Sequence, residues 1–140
     1  MDRELVLEWL RFADMDLDAA EVVYCHRPQH LGIICYHCQQ AAEKYLKGYL
    51  VFCDIEDIPR THNLAQLCVM CMNYDKKFAE ITMPCSALTA YGVLPRYPDE
   101  IFLDEHLVQK AIEHAKQVKA FVVATMGENS AARSHICSEN

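Results

Sequence analysis

The middle of the chain contains the run Gln39-Gln40-Ala41-Ala42-Glu43-Lys44-Tyr45-Leu46-Lys47. Its small, aliphatic and aromatic residues recur with the spacing of a buried helix face, and its basic and amide residues fall on another stripe of the same helix. Two later fragments add related groups, Arg60-Thr61-His62-Asn63-Leu64 and Arg96-Tyr97-Pro98. The sequence therefore predicts a core-forming helix with a polar stripe, joined by a histidine and an arginine from later segments.

Length and composition favour one compact domain. The chain has 140 residues, 52% of them hydrophobic, which is enough for a single core. A net charge of −7 argues against a general nucleic-acid coat, because such proteins present a basic face. No apolar run approaches the roughly 20 residues needed to cross a bilayer, and the start of the chain lacks signal-peptide features. We expect a cytoplasmic protein with no membrane partner and with reduced thiols.

Helical periodicity dominates, and no strand-like alternation persists. The predicted helices cover about 4–26, about 31–53, a third segment capped by Thr61 and ending near Tyr74, a shorter one from near Pro84 to before Gly92, and about 103–125. These segments predict an all-α fold, an antiparallel up-and-down bundle of about five helices. We expect the bundle to occupy residues 1–126 and a disordered polar tail to occupy residues 127–140.

Two Cys-x2-Cys pairs, Cys35 with Cys38 and Cys68 with Cys71, have a spacing that is often found in structural zinc sites. Both pairs lie inside helical periodicity, whereas zinc-binding pairs usually occupy tight turns. The 29 residues between the pairs also exceed the usual separation of roughly 15–20. We predict buried thiols on neighbouring helices, with no metal and no cofactor.

The polar stripe of the second helix is the main candidate binding surface. It contains His37, Gln40, Lys44 and Lys47, at spacings of three, four and three residues. Two ammonium groups with amide donors suit a phosphate group. The alternative is a solvated face on which Glu43 and Lys47 form an ordinary i,i+4 ion pair.

His62 and Arg96 extend this candidate site. His62 lies in the first turn of the third helix, where spare backbone N–H groups attract anions, although a histidine there can also simply pack or help cap the helix. Arg96 is held between two prolines and suits bidentate phosphate recognition, or an ion pair with Asp16 or Glu43. The predicted nucleotide- or phosphate-binding residues are His37, Gln40, Lys44, Lys47, His62 and Arg96, and no catalytic residue is assigned.

The same fragments, in this order, resemble a HEPN domain. The resemblance covers roughly residues 5 to 123 and includes Trp9, the stretch 13–20 and Leu88-Thr89-Ala90-Tyr91. It implies a helical module, usually a homodimer, that binds a nucleotide or a nucleic-acid end such as an RNA end. It also implies a frequent partner, a small nucleotidyltransferase encoded nearby, in an arrangement similar to a toxin–antitoxin pair.

HEPN ribonucleases typically carry the motif Arg-x4-6-His, and this chain departs from it. Two residues separate Arg27 from His30, one separates Arg60 from His62, and nine separate Arg96 from His106. The departure favours a binding module over an enzyme. Two alternatives stay open, a metal-independent endoribonuclease toxin and a non-catalytic protein-interaction adaptor.

Overall fold

Helices account for nearly all of the regular structure. The computed structural model describes residues 1–92 and 104–139, with side chains described up to residue 130. The elements are α1 (Arg3–His26), α2 (Leu31–Phe52), α3 (Leu64–Met72), a short 3-10 helix (Lys76–Ile81), α4 (Thr82–Thr89) and α5 (Glu105–Glu139). No residue in the described ranges forms a strand. The predicted all-α bundle of five helices is confirmed.

Helix α2 forms the centre of the fold. It packs against α1, α3, α4 and α5, and its large side chains Tyr45, Leu46 and Tyr49 are fully buried. A helix that is apolar over most of its circumference must be surrounded by other elements. The polar residues of α2 are therefore held in a closely packed environment.

Helices α1 and α2 approach each other closely at Gly48. A Cβ atom added there would lie 3.2 Å from the Cβ of Trp9 and 3.6 Å from a methyl carbon of Leu10. The first of these distances is shorter than ordinary van der Waals contact, so a larger residue would push the helices apart. The connection between them is short, residues 27–30, which is typical of antiparallel neighbours.

Ion pairs define how α5 lies against α1. Lys119 Nζ is 3.0 Å from an oxygen of Asp14, and Lys116 Nζ is 3.5 Å from an oxygen of Glu21. Because the later lysine of α5 meets the earlier acid of α1, the two helices run antiparallel. The main contact of α1 is with α2, and the side of α1 opposite its buried residues is exposed.

The N-terminus of α3 differs from the sequence prediction. Asn63 caps the helix, accepting a hydrogen bond from the Gln66 backbone N–H at 3.1 Å. The Thr61 hydroxyl instead accepts from the Asn63 backbone N–H at 3.1 Å. Asparagine is among the best capping residues and directly precedes the first helical residue, which explains why it takes this position. Thr61 therefore stabilises the turn before the helix.

The end of α5 also differs. The helix continues through Gly127 to Glu139, past the predicted end at residue 125. Residues 128–139 contain no proline and include glutamate, alanine and arginine, which favour helix. One interior glycine costs only about 1 kcal/mol, so it does not have to end the helix.

Candidate functional site

A buried carboxylate lies at the centre of the polar stripe of α2. The Glu43 side chain is only 6% exposed. It accepts hydrogen bonds from the Gln39 amide at 3.3 Å, from Lys47 Nζ at 3.3 Å and from His62 Nδ1 at 2.8 Å. A buried charge is tolerated when it is paired and hydrogen-bonded, and all of these partners are present. Glu43 is therefore the fixed point around which the neighbouring groups are arranged.

Lys47 is part of this buried arrangement. Its side chain is 8% exposed, so the predicted i,i+4 pair with Glu43 forms, but not on a solvated face. Lys47 is instead packed inside the bundle. Helical spacing gave the direction of the side chain but not its depth, which depends on the neighbouring segments.

Amide groups link this centre to the segment before α3. Gln39 is fully buried, and its amide N–H also donates to the His62 backbone carbonyl at 3.0 Å. Gln40 donates to the Gln39 side-chain oxygen at 2.8 Å. The resulting chain of hydrogen bonds runs from Gln40 through Gln39 to Glu43 and holds the segment around His62 over α2.

A second carboxylate, from α1, engages the other half of the stripe. Asp16 accepts a hydrogen bond from His37 Nδ1 at 3.0 Å, and Lys44 Nζ pairs with its other oxygen. The Asp16 side chain is largely buried, while His37 and Lys44 remain partly exposed. Two of the predicted anion ligands therefore already have an acidic partner within the protein.

Both histidines are oriented in the same way. An ionised carboxylate can only accept hydrogen bonds, so the ring proton of His37 and of His62 lies on Nδ1. The opposite nitrogen, Nε2, is then free of the carboxylate and can accept a proton or, in the imidazolium form, donate a hydrogen bond. The His62 side chain is 64% exposed. The sequence did not predict that Asp16 orients His37 or that Glu43 orients His62.

Tyr45, a buried residue of α2, forms a hydrogen bond to α1 that helps to change its pKa. The Tyr45 hydroxyl donates to Asp14, which also pairs with Lys119. Burial raises the pKa of Tyr45 above its usual value, and the hydrogen bond to Asp14 raises it further. Tyr45 therefore stays protonated and links α1 to α2, and we assign it a structural role.

The structure brings together five of the six predicted site residues on or beside α2, in two carboxylate-centred groups. The sixth, Arg96, lies outside the described residues. Gly92, four positions before it, packs against Gln39, since a Cβ added at Gly92 would lie 3.3 Å from Gln39 Nε2. Gly92 thus lies beside the polar centre of α2.

The cysteine pairs lie where the helical pattern predicted. Cys35 and Cys38 are buried in α2, and Cys68 and Cys71 are buried in α3. Burial raises the pKa of the Cys35 thiol to about 11. Within the described part of the chain, no group of three or more histidine, cysteine or acidic side chains is arranged to hold a metal ion.

Comparison with known proteins identifies the family. The model of the HEPN domain matches residues 6–128. The chain belongs to the HEPN family. The HEPN resemblance inferred from the polar stripe, the histidine segment and the other fragments is thereby confirmed.

Two solved structures share the HEPN fold. The crystal structure of TT1696 from Thermus thermophilus has a TM-score of 0.73 and 23% identity, and the match covers 89% of this chain and 98% of that one. The crystal structure of ST0689, described as an archaeal HEPN homologue, has a TM-score of 0.67 and 26% identity, over 90% of this chain and 99% of that one. No curated protein matched. No helix in the described ranges has the length and apolar character to cross a membrane.

Proposed function

We propose that this HEPN domain binds a nucleotide, or the phosphate end of a nucleic acid such as an RNA end, on the polar surface of α2. The observation that carries the proposal is the pair of imidazoles oriented through Nδ1, one by Asp16 and one by Glu43. Each leaves Nε2 available to a ligand, and Gln40 and Lys44 lie on the same stripe of α2 as His37. Charge-assisted hydrogen bonds of this kind are the usual means of holding phosphate.

The charge balance of the site defines the role of each group. Asp16 and Glu43 offset Lys44 and Lys47, so the group is neutral when both imidazoles are neutral, and each protonated imidazole adds one positive charge. Lys44 is partly exposed and can turn from Asp16 towards a ligand. Lys47 is too deeply buried to do so without uncovering Glu43. We assign direct contact to Lys44 and the imidazoles, and an indirect electrostatic role to Lys47.

Arg96 is the proposed additional ligand. Its guanidinium would supply the bidentate contact that the two lysines cannot make. The support is the position of Gly92, which starts the segment leading to Arg96 directly beside Gln39. Gln39 in turn is hydrogen-bonded to Glu43 and to the His62 segment.

Isothermal titration calorimetry with a panel of mono-, di- and triphosphate nucleotides tests the proposal. Replacing His62 or Lys44 by alanine is expected to weaken binding by about 1.5–3 kcal/mol, the range for a hydrogen bond to a charged group. His30, an exposed histidine outside the polar surface, provides the matched control, and His30→Ala should bind as the parent does. If no nucleotide of the panel gives a heat of binding, and none shifts the NMR resonances of His37 or His62, nucleotide binding is refuted.

One observation also favours a second candidate, the metal-independent endoribonuclease. An imidazole held by a carboxylate and open at Nε2, as His62 is, is suited to proton transfer as a general base or acid. Cleavage of RNA in the presence of a chelator, abolished by His62→Ala and retained by His30→Ala, would establish this activity. Nucleotide binding without cleavage would restrict the domain to recognition.

We also propose, from family membership, that the domain forms a homodimer and pairs with a small nucleotidyltransferase in a toxin–antitoxin-like system. Co-expression with the protein encoded next to it, followed by affinity purification, tests the pairing. Stable complex formation without any nucleotide response would instead favour the adaptor function.

A further inference from the structure

Helix α1 has a second apolar face that the bundle does not cover. Its inner face buries Val6, Ala13, Leu17 and Ala20 against the other helices. Its outer face exposes large side chains whose exposed fractions lie between 40% and 55%. We define the outer stripe as Leu5, Glu8, Phe12, Met15, Ala19 and Val22. Exposed apolar residues are common singly, but an ordered row of them marks an interaction surface.

The spacing of the outer stripe is that of a coiled coil. Leu5, Phe12 and Ala19 are seven residues apart, and the second series, from Glu8 through Met15 to Val22, has the same period. These are the a and d positions of two and a half heptads, and Glu8 is the single polar member. A surface helix that serves only its own core needs one apolar face, so the second row is available to pack against a partner.

We propose that the outer stripe packs against the same stripe of a second copy of this chain, with the two α1 helices antiparallel. This interface gives the homodimer proposed above a defined surface and orientation, and its formation does not depend on nucleotide binding. A two-fold axis near the middle of α1 makes the interface self-complementary, as in most homodimers.

The antiparallel orientation follows from Glu8. In this register Leu5 lies opposite Val22 of the second copy, and Phe12 lies opposite Met15. Glu8 lies opposite the small Ala19, where its carboxylate can reach solvent. A parallel pair would place Glu8 opposite Glu8 in the apolar seam, and two like charges facing each other there destabilise the contact.

Flanking charges support the same orientation. Arg11 and Asp18 both lie at the g edge of the stripe and are exposed. In the antiparallel register, Arg11 of each copy faces Asp18 of the other copy, which gives two such pairs related by the two-fold axis. A parallel pair would direct Arg11 towards Asp16, which His37 and Lys44 already engage. In the single chain, Arg11 makes a long contact with Glu8, at 3.5 Å, and lies over the Phe12 ring. Both Arg11 and Glu8 are exposed, so turning Arg11 towards Asp18 of the second copy costs little.

The surface also contains a concave site for a side chain of the second copy. A cleft of about 310 Å³ is lined by Leu5, Glu8, Trp9 and Phe12 of α1 and by Lys44 of α2. The four α1 residues stand at positions i, i+3, i+4 and i+7, which is the hole that receives one knob in knobs-into-holes packing. In the antiparallel register that knob is Ala19 of the second copy.

Sedimentation equilibrium over about 1–100 µM tests the interface, because dimer population depends on protomer concentration. We expect a monomer–dimer equilibrium in the parent chain, and Met15→Glu should weaken it at least ~10-fold, as expected for a buried position at the centre of an interface. Leu7→Glu is the matched control, since Leu7 lies on α1 with similar exposure but off the stripe, and it should dimerise as the parent does. Circular dichroism establishes that both variants are folded.

Charge exchange tests the orientation. Arg11→Asp and Asp18→Arg should each weaken the dimer, and the double variant should restore it, because only the antiparallel register pairs these two positions. A parent chain that stays monomeric at about 100 µM would overturn the proposal. Equal weakening by Met15→Glu and Leu7→Glu, or a double variant no stronger than the single ones, would overturn it as well.

Discussion

Replacing Glu43 by alanine is expected to lower the free energy of unfolding by about 3–5 kcal/mol, because it leaves a buried ammonium group without its counter-ion. The magnitude rests on the burial of both partners, 6% exposure for Glu43 and 8% for Lys47. The substitution also removes the acceptor for the Gln39 amide and for His62 Nδ1. With an unfolding entropy of about 2.1 cal/mol/K per residue, this loss corresponds to a fall in melting temperature of roughly 10–17 °C.

Differential scanning calorimetry and urea unfolding measure this change. The control is Glu113→Ala, which breaks the Lys110–Glu113 pair at a similar N–O distance, 3.4 Å, on an exposed face. Exposed pairs contribute about 0–1 kcal/mol, so the control should be nearly neutral. The double variant Glu43→Leu/Lys47→Met should recover most of the lost stability, since it removes both charges. A Glu43→Ala variant as stable as Glu113→Ala would show that Lys47 does not depend on this carboxylate.

Three further predictions follow from other parts of the fold. Gly48→Val should destabilise the protein by about 1–3 kcal/mol through overpacking against Trp9, measurable by urea unfolding. Desolvation, with a contribution from Lys110, lowers the pKa of His114 below its usual value of 6.5. The unfolded chain therefore binds the extra proton first, and stability falls as pH drops below about 6.5; His114→Gln should reduce this loss in melting temperatures measured between about pH 7 and pH 5.5. Iodoacetamide at about pH 8 should modify the exposed Cys25 well before the buried Cys35, whose pKa is raised to about 11, as resolved by peptide mass spectrometry.

The helices could be predicted because their apolar spacing is regular. The start of α2 at Leu31 agrees with the prediction, and its end at Phe52 lies within one residue of it. Capping and turn signals, which depend on only two or three residues, predicted the helix ends and the short elements less well. Thr61 and Asn63 are both good capping residues, and Asn63 takes the cap because it directly precedes the first helical residue. The short 3-10 helix was missed because its six residues are too few to give a periodic pattern.

The sequence predicted that the polar stripe shares one helix, but it did not predict the electrostatic character of that stripe. The spacing from His37 to Lys47 placed the stripe on one face of α2. It did not reveal that Asp16, from another helix, engages His37 and Lys44. Nor did it reveal that the segment around His62 buries Glu43. Both features arise from contacts between residues distant in sequence, which a helical period does not encode.

The close contact of α1 with α2 also has a kinetic consequence. The two helices are joined by residues 27–30 and form the most extensive interhelical contact of the described chain. Closing so short a connection costs little chain entropy, so this helical hairpin is expected to form early in folding. Changes at Gly48 should then slow folding, whereas loss of the Lys119–Asp14 pair, which joins α5 to α1, should mainly accelerate unfolding. The α1–α2 contact would thus set how fast the protein folds, and the docking of α5 how long it stays folded.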